Sequence, residues 1–249
     1  MDPSFRVTAL PASRGAAWMG ESFKLFKAAP LQWIGLCSGW ASITLALMIL
    51  GFVGGVLFNV LQPLFFASFA IAAYRQSVGE SITMGDLFSG FRRRARSLAA
   101  VGVVLFAAEL LVIFAMFMLG LPVKPEGPGP FTVQEYVEML QGYEWIIAIG
   151  FLLTLVVKGA LWFAPPLIAF HGMSVGHAMR WSIYAAVENL GAMITYAATL
   201  FALLFVGLIP YGLGLLVAIP MMAISTFVGY REVFESDRGS DRGQTTVKE

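Results

Sequence analysis

Charge is absent from two long stretches of this chain. No Asp, Glu, Lys or Arg falls between Lys27 and Arg75, or between Glu188 and Arg231. A helix that crosses a bilayer needs about 20 apolar residues, so each stretch predicts two crossings. The first block, Leu31 to Tyr74, has Gly51-Phe52-Val53-Gly54-Gly55 at its centre. A turn there gives spans over about 31–51 and 55–74. Two further apolar runs predict spans over about 97–119 and 145–170. The last block breaks at Gly207-Leu208-Ile209-Pro210-Tyr211-Gly212, giving spans over about 189–208 and 212–230. Continuous apolar runs favour helices, since a membrane barrel alternates apolar and polar residues in segments of about ten. Helices also satisfy every backbone group within the segment, as lipid requires.

Short amphipathic segments precede the paired spans, beginning at Ser13, Ser81 and Ser174. Serine suits a helix N-cap, because its hydroxyl accepts an orphan backbone N–H. In the second segment Met84, Leu87, Phe88 and Phe91 share a helical face. In the first, Trp18, Met19, Phe23 and Phe26 oppose Lys24 and Lys27. Such helices lie in a membrane interface. The two long blocks also resemble each other: each has a glycine turn, then a proline (Pro63, Pro220), then a Tyr-Arg pair (Tyr74-Arg75, Tyr230-Arg231). The expected fold is all-α and polytopic: six transmembrane helices as three hairpins, each preceded by an interfacial amphipathic helix. Residues 1–12 form an N-terminal cytoplasmic segment, 13–234 the membrane domain with a loop at 120–144, and 235–249 a disordered cytoplasmic tail.

Composition agrees with this pattern. Of 249 residues, 58% are hydrophobic and 12% charged, against about 25% charged in soluble domains; the mean hydropathy is +0.78. No signal-peptide pattern precedes the first apolar run. The lone Cys37 excludes an intrachain disulfide. Orientation follows from Lys and Arg, which accumulate on the cytoplasmic side. Fourteen of the sixteen fall on one side of the six spans, Lys124 falls on the other, and Lys158 lies within a span. Both termini are therefore expected in the cytoplasm of a bacterial inner membrane.

The Ser-started amphipathic segments and the Tyr-Arg ends give the chain its resemblance, in layout over roughly residues 13–232, to uncharacterised bacterial six-helix inner-membrane proteins related to the membrane domain of some glycerophosphodiester phosphodiesterases. The resemblance implies a membrane module of unknown activity, with no catalytic residues to carry over; the phosphodiesterase's soluble catalytic domain has no counterpart here.

Glu109 and Lys158 are the sharpest candidate site. Each lies about twelve residues from the cytoplasmic end of its span, so both fall near the midplane at 1.5 Å per residue. An unpaired charge there is costly, and contact between the two is expected, as a structural ion pair or as a transport site. Arg92, Arg93, Arg94 and Arg96 form a basic cluster where the third span begins. Such clusters attract anionic headgroups, by about 1 kcal/mol per basic residue near the surface. No aromatic residue is interleaved among them to stack on bases, so no nucleic-acid partner is expected.

Gly172-Met173-Ser174-Val175-Gly176 matches the nucleophile-elbow pattern of serine hydrolases. It lacks the strand, acid and distant histidine that chemistry needs, and helix capping by Ser174 explains it better. His171, His177 and Cys37 make no metal-ligand spacing, and no cofactor motif is present. In the loop, Thr132-Val133-Gln134-Glu135 fits a capping box with Phe131 and Tyr136 as its staple, predicting a helix over 133–142. Gly35 and Gly39 have the spacing of close helix packing. The expected function is that of a non-enzymatic module: a scaffold, an accessory subunit or a lipid-contacting protein, with anionic lipid and a protein partner or second copy as candidate partners. The alternative is a small transporter or channel with the Glu109–Lys158 site.

Overall fold

The computed structural model describes residues 6–122 and 132–244, with side chains to Glu235. All its regular elements are helical. Six helices are long and apolar enough to cross a bilayer, and they form three hairpins, each preceded by an interfacial element. The first repeat is α1 (Ser13–Ala28) with α2 (Pro30–Met48) and α3 (Gly51–Ser77). The second opens with a 3₁₀ turn, Met84–Phe88, and continues into α4 (Ser89–Met118), the loop helix α5 (Val133–Leu140), α6 (Glu144–Ala160) and α7 (Ala164–His171). The third is α8 (Val175–Glu188), α9 (Leu190–Leu208) and α10 (Leu215–Gln244).

Several boundaries differ from expectation for local reasons. The first hairpin turns at Ile49–Leu50, two residues before the glycine cluster, and enters α3 through Gly51 at φ +59°. Span four is broken: helix gives way to a turn at 161–163 between α6 and α7. Pro165 and Pro166 have no N–H for the carbonyls four residues back. Pro63 and Pro220, by contrast, sit inside helices that run through them. Helical backbone also continues through 235–244, against the expected disordered tail. Extending an existing helix costs far less than nucleating one. Residues 245–249 and Phe131 lie outside the described residues.

The three expected serine caps fare differently. At α1 the cap position is Ala12, and Ser13 lies inside the helix. In the second segment the cap is Thr83, whose capping box with Asp86 starts the 3₁₀ turn, so Ser81 is not used. Ser174 does hold the cap position of α8, but its hydroxyl makes no capping bond and lies 3.5 Å from His177 Nδ1. Thr132 and Glu135 make their capping box, and Thr132 Oγ1 accepts from the Glu135 N–H.

Each interfacial element packs on the hairpin before it in a closed ring. The 3₁₀ turn lies on α2 and α3, α8 lies on α6 and α7, and α1 closes the ring against α9 and α10. Gly15 of α1 sits directly on the backbone of Ala192 and Tyr196 in α9. Gly35 and Gly39 of α2 leave room for Met84 and Leu87 of the next repeat. Inside the ring the second helices of the hairpins meet. Tyr74 of α3, Phe170 of α7 and Phe227 of α10 form a triangle of rings with centroids 5.7, 6.1 and 6.2 Å apart. Most buried residues lie in this half of the bundle, the base, which carries the interfacial elements.

Candidate functional site

Lys158 lies in the last turn of α6, three residues before the break in span four. The negative end of the helix dipole favours a cation there. Its Nζ lies 2.6 Å from Glu109 Oε1 on α4 and donates to Gln62 Oε1 on α3 at 3.3 Å. The two predicted charges therefore meet, and Gln62 joins them. The site is not sealed: the Lys158 side chain keeps 35% of its accessibility and that of Glu109 19%.

The chain turns at this point because Ser182 of α8 stabilises the break. The buried Ser182 hydroxyl donates to Ala160 O at 2.8 Å and accepts from the Phe163 N–H at 3.0 Å. Two backbone groups left by the broken ladder are thus satisfied by one side chain. Nothing in the local sequence marks Ser182, since its partners lie some 20 residues earlier.

Immediately on the base side of the charge pair lies a floor of aromatic rings. Trp162 stands four residues after Lys158, and Phe66 four residues after Gln62. Their rings lie 6.2 Å apart, and Trp162 packs edge-on to Tyr196 of α9 at 5.0 Å. The Tyr196 hydroxyl is 2.7 Å from Ser225 Oγ on α10. The floor therefore joins all three hairpins.

The arginine cluster lies where the second repeat turns into the membrane. Helical geometry breaks at Arg94 (φ −145°, ψ 41°), between the interfacial start of α4 and its apolar remainder. Arg92 donates to Gly85 O at 2.7 Å, and the Arg94 guanidinium sits against Gly172, the left-handed cap of α7. Arg92, Arg93, Arg94 and Arg96 are all exposed, and none makes an ion pair among the described residues.

Other basic residues have partners that the sequence did not reveal. Arg75, from the first Tyr-Arg pair, binds Glu80 at 2.6 Å and Asp86 of the 3₁₀ turn. Arg231, from the second, reaches Glu21 of α1 at 3.5 Å. Arg14 binds Glu21 at 2.8 Å and also Glu232, which accepts from Trp18 Nε1 at 2.6 Å. In two repeats, then, the Tyr-Arg end of a hairpin is tied to an acid on the next interfacial element. The capping-box spacing Thr83-x-x-Asp86 was the one available signal for this arrangement. The histidines do not converge: His171 Nε2 lies 2.6 Å from the buried Tyr230 hydroxyl, while His177 faces Ser174.

Over 208 residues the chain is 25% identical to a probable inner membrane protein of Burkholderia thailandensis, spanning 77% of this chain and 74% of that protein. No protein-family profile matches the chain, and no solved structure matches it significantly. This distant homologue and the six apolar helices together fit an integral membrane protein.

Proposed function

We propose that this integral membrane protein is a non-enzymatic module of a bacterial inner membrane, with both termini in the cytoplasm, that contacts anionic lipid headgroups through Arg92, Arg93, Arg94 and Arg96. One observation carries this reading. The four arginines are exposed and lack acidic partners among the described residues, whereas Arg14, Arg75 and Arg231 are paired. Unpaired cations at the entry of a span match the negative surface of a cytoplasmic leaflet. The layout resemblance to the membrane domain that accompanies some glycerophosphodiester phosphodiesterases belongs to the same reading, as does a scaffold or accessory role beside a protein partner or a second copy. The test uses Arg93→Gln with Arg96→Gln, two residues that make no contact with the rest of the protein among those given above. Purified in mild detergent, the native chain is expected to retain phosphatidylglycerol and the variant to lose it. Equal retention would count against the proposal.

A second reading, a small transporter or channel, is favoured by the broken span beside Lys158. Discontinuous helices at mid-depth, with charged groups beside them, recur at transport sites. Proton flux in proteoliposomes that disappears in Glu109→Gln would support it, and flux equal to that of empty vesicles would reject it.

A further inference from the structure

Away from the base, the hairpins stop covering one another. Past Pro63, Leu105, Leu200 and Ala218 on their helices, the buried described residues toward the opposite end are Gly54, Ile146, Gly150 and Gly207. The three glycines are covered from within their own hairpins, by Leu47, Met116 and Gly214 respectively. The bundle is therefore closed at the base and open at the other end. The opening is walled by apolar side chains. Toward the same end the third hairpin carries a groove of about 350 Å³ lined by Leu203, Val206, Pro210 and Val217 among others, a volume in the range of small-ligand sites, roughly 300–1,000 Å³.

The Glu109–Lys158–Gln62 set lies one helical turn above the aromatic floor, on the open side. An ammonium has three N–H donors. One faces Glu109 and one Gln62, and the third has no partner among the described residues. The second carboxylate oxygen of Glu109 also lacks a partner among them. A cationic donor and an anionic acceptor, each with bonding capacity to spare, thus stand side by side in apolar surroundings. Charged groups left incompletely satisfied in hydrocarbon are costly. A purely anionic ligand would meet Glu109 and a purely cationic one Lys158, and each would be repelled. A molecule carrying both charges close together satisfies both groups, and the apolar walls require it to carry long apolar chains.

We propose that the open end binds one zwitterionic phospholipid, its phosphate accepting from Lys158, its ammonium donating to Glu109, and its acyl chains lying between the hairpins, one in the groove of the third. The inference deepens the lipid-contacting reading but stands on different residues from the arginine cluster. The full chain, in detergent micelles with equal phosphatidylethanolamine and phosphatidylglycerol, is examined by native mass spectrometry. One phosphatidylethanolamine per chain is expected. In the neutral double variant Glu109→Leu with Lys158→Met, which leaves no charge unpaired, its affinity should fall at least about tenfold, because both charge-assisted contacts are removed, with phosphatidylglycerol retention unchanged. Arg93→Gln with Arg96→Gln should do the reverse, so the two proposals fail separately. Should the neutral pair not fold, Val206→Trp, placed on the exposed groove wall, is expected to lower phosphatidylethanolamine occupancy by at least about half. Occupancy that stays at the native value in the folded variant, or phosphatidylglycerol as the lipid lost with the charge pair, overturns the proposal.

Discussion

The crossing of α3 and α4 can be probed at a single atom. A methyl carbon added at Gly102 would lie 2.6 Å from the Val60 Cα and 2.8 Å from the Asn59 carbonyl oxygen. Both are backbone atoms, so neither can swing aside as a side-chain tip does. Ordinary van der Waals separation is about 3.5–4.0 Å, so α4 must retreat by roughly 1 Å. Overpacking of this kind costs about 1–3 kcal/mol, and helix propensity returns up to about 1 kcal/mol on replacing glycine by alanine. Gly102→Ala should therefore lower stability by roughly 1–2 kcal/mol. Glu109 lies seven residues along the same helix, about 10 Å away, so the same shift should lengthen its 2.6 Å contact with Lys158. Gly20 provides the opposite case. It lies within α1, and a Cβ there meets nothing within 4 Å. Gly20→Ala should accordingly raise stability by up to about 1 kcal/mol. Reversible unfolding in mixed micelles, titrated with denaturing detergent, measures both variants. If Gly102→Ala leaves the midpoint unchanged or raises it as Gly20→Ala does, the close crossing of α3 and α4 is not a determinant of stability.

Other consequences are open to simple tests. Ser182→Ala strands the Phe163 N–H and the Ala160 carbonyl at the break in span four, and should cost about 1–3 kcal/mol; a melting temperature equal to the native one would contradict that role. Trp18→Phe keeps a ring over Gly229 but removes the donor to Glu232, with an expected loss of about 1.5–3 kcal/mol that should shrink to about 0.5–1.5 kcal/mol when Glu232 is already Gln, whose carbonyl still accepts but carries no charge. The Thr132 backbone N–H and hydroxyl hold the Glu135 carboxyl below the usual carboxylate range. A lowered folded-state value means that the cap on α5 is fully present above the unfolded value, about 4.3, and is lost as pH falls through the folded one. A carboxyl-carbon titration should show Glu135 moving part of the way toward the ordinary range in Thr132→Ala, which removes the hydroxyl and keeps the backbone N–H, and no movement would refute the hydroxyl's part in the capping box. Finally, a tag at residue 249 is expected to be reachable only from the cytoplasm.

The helices and their pairing were legible because lipid imposes them: a charge-free stretch of more than forty residues has few other solutions. The contact of Glu109 with Lys158 followed from the same constraint, since each charge demanded a partner at its own depth. What could not be read depended on neighbours distant in sequence. Gln62 joins the pair from 96 residues away, and a lone Gln in an apolar span has no pattern to announce that. Ser182 looked like any polar residue of an amphipathic helix until the break it bridges was in view. The serine caps misled because a serine near a helix start is common, whereas Thr83 with Asp86 carries the reciprocal bonding that fixes a start. Arg14, Arg75 and Arg231 read as topology signals alone, and their acids became visible only when each hairpin met the next interfacial element.

The docking of α1 on α9 and α10 bears on biosynthesis. Gly15 and Leu10 find their partners at Ala192 and Asn189, which leave the ribosome nearly 180 residues later. Until then α1 has only its lighter hold on the first hairpin, where Gln76 donates to Leu25 O at 2.8 Å, and the final hairpin acts as the latch that draws it in. Because each join in the circle links one repeat to its predecessor, no repeat is intrinsically first. A gene rearranged to start at the Gly79–Glu80 turn, with old ends joined by a flexible linker, should assemble the same bundle with a different latch.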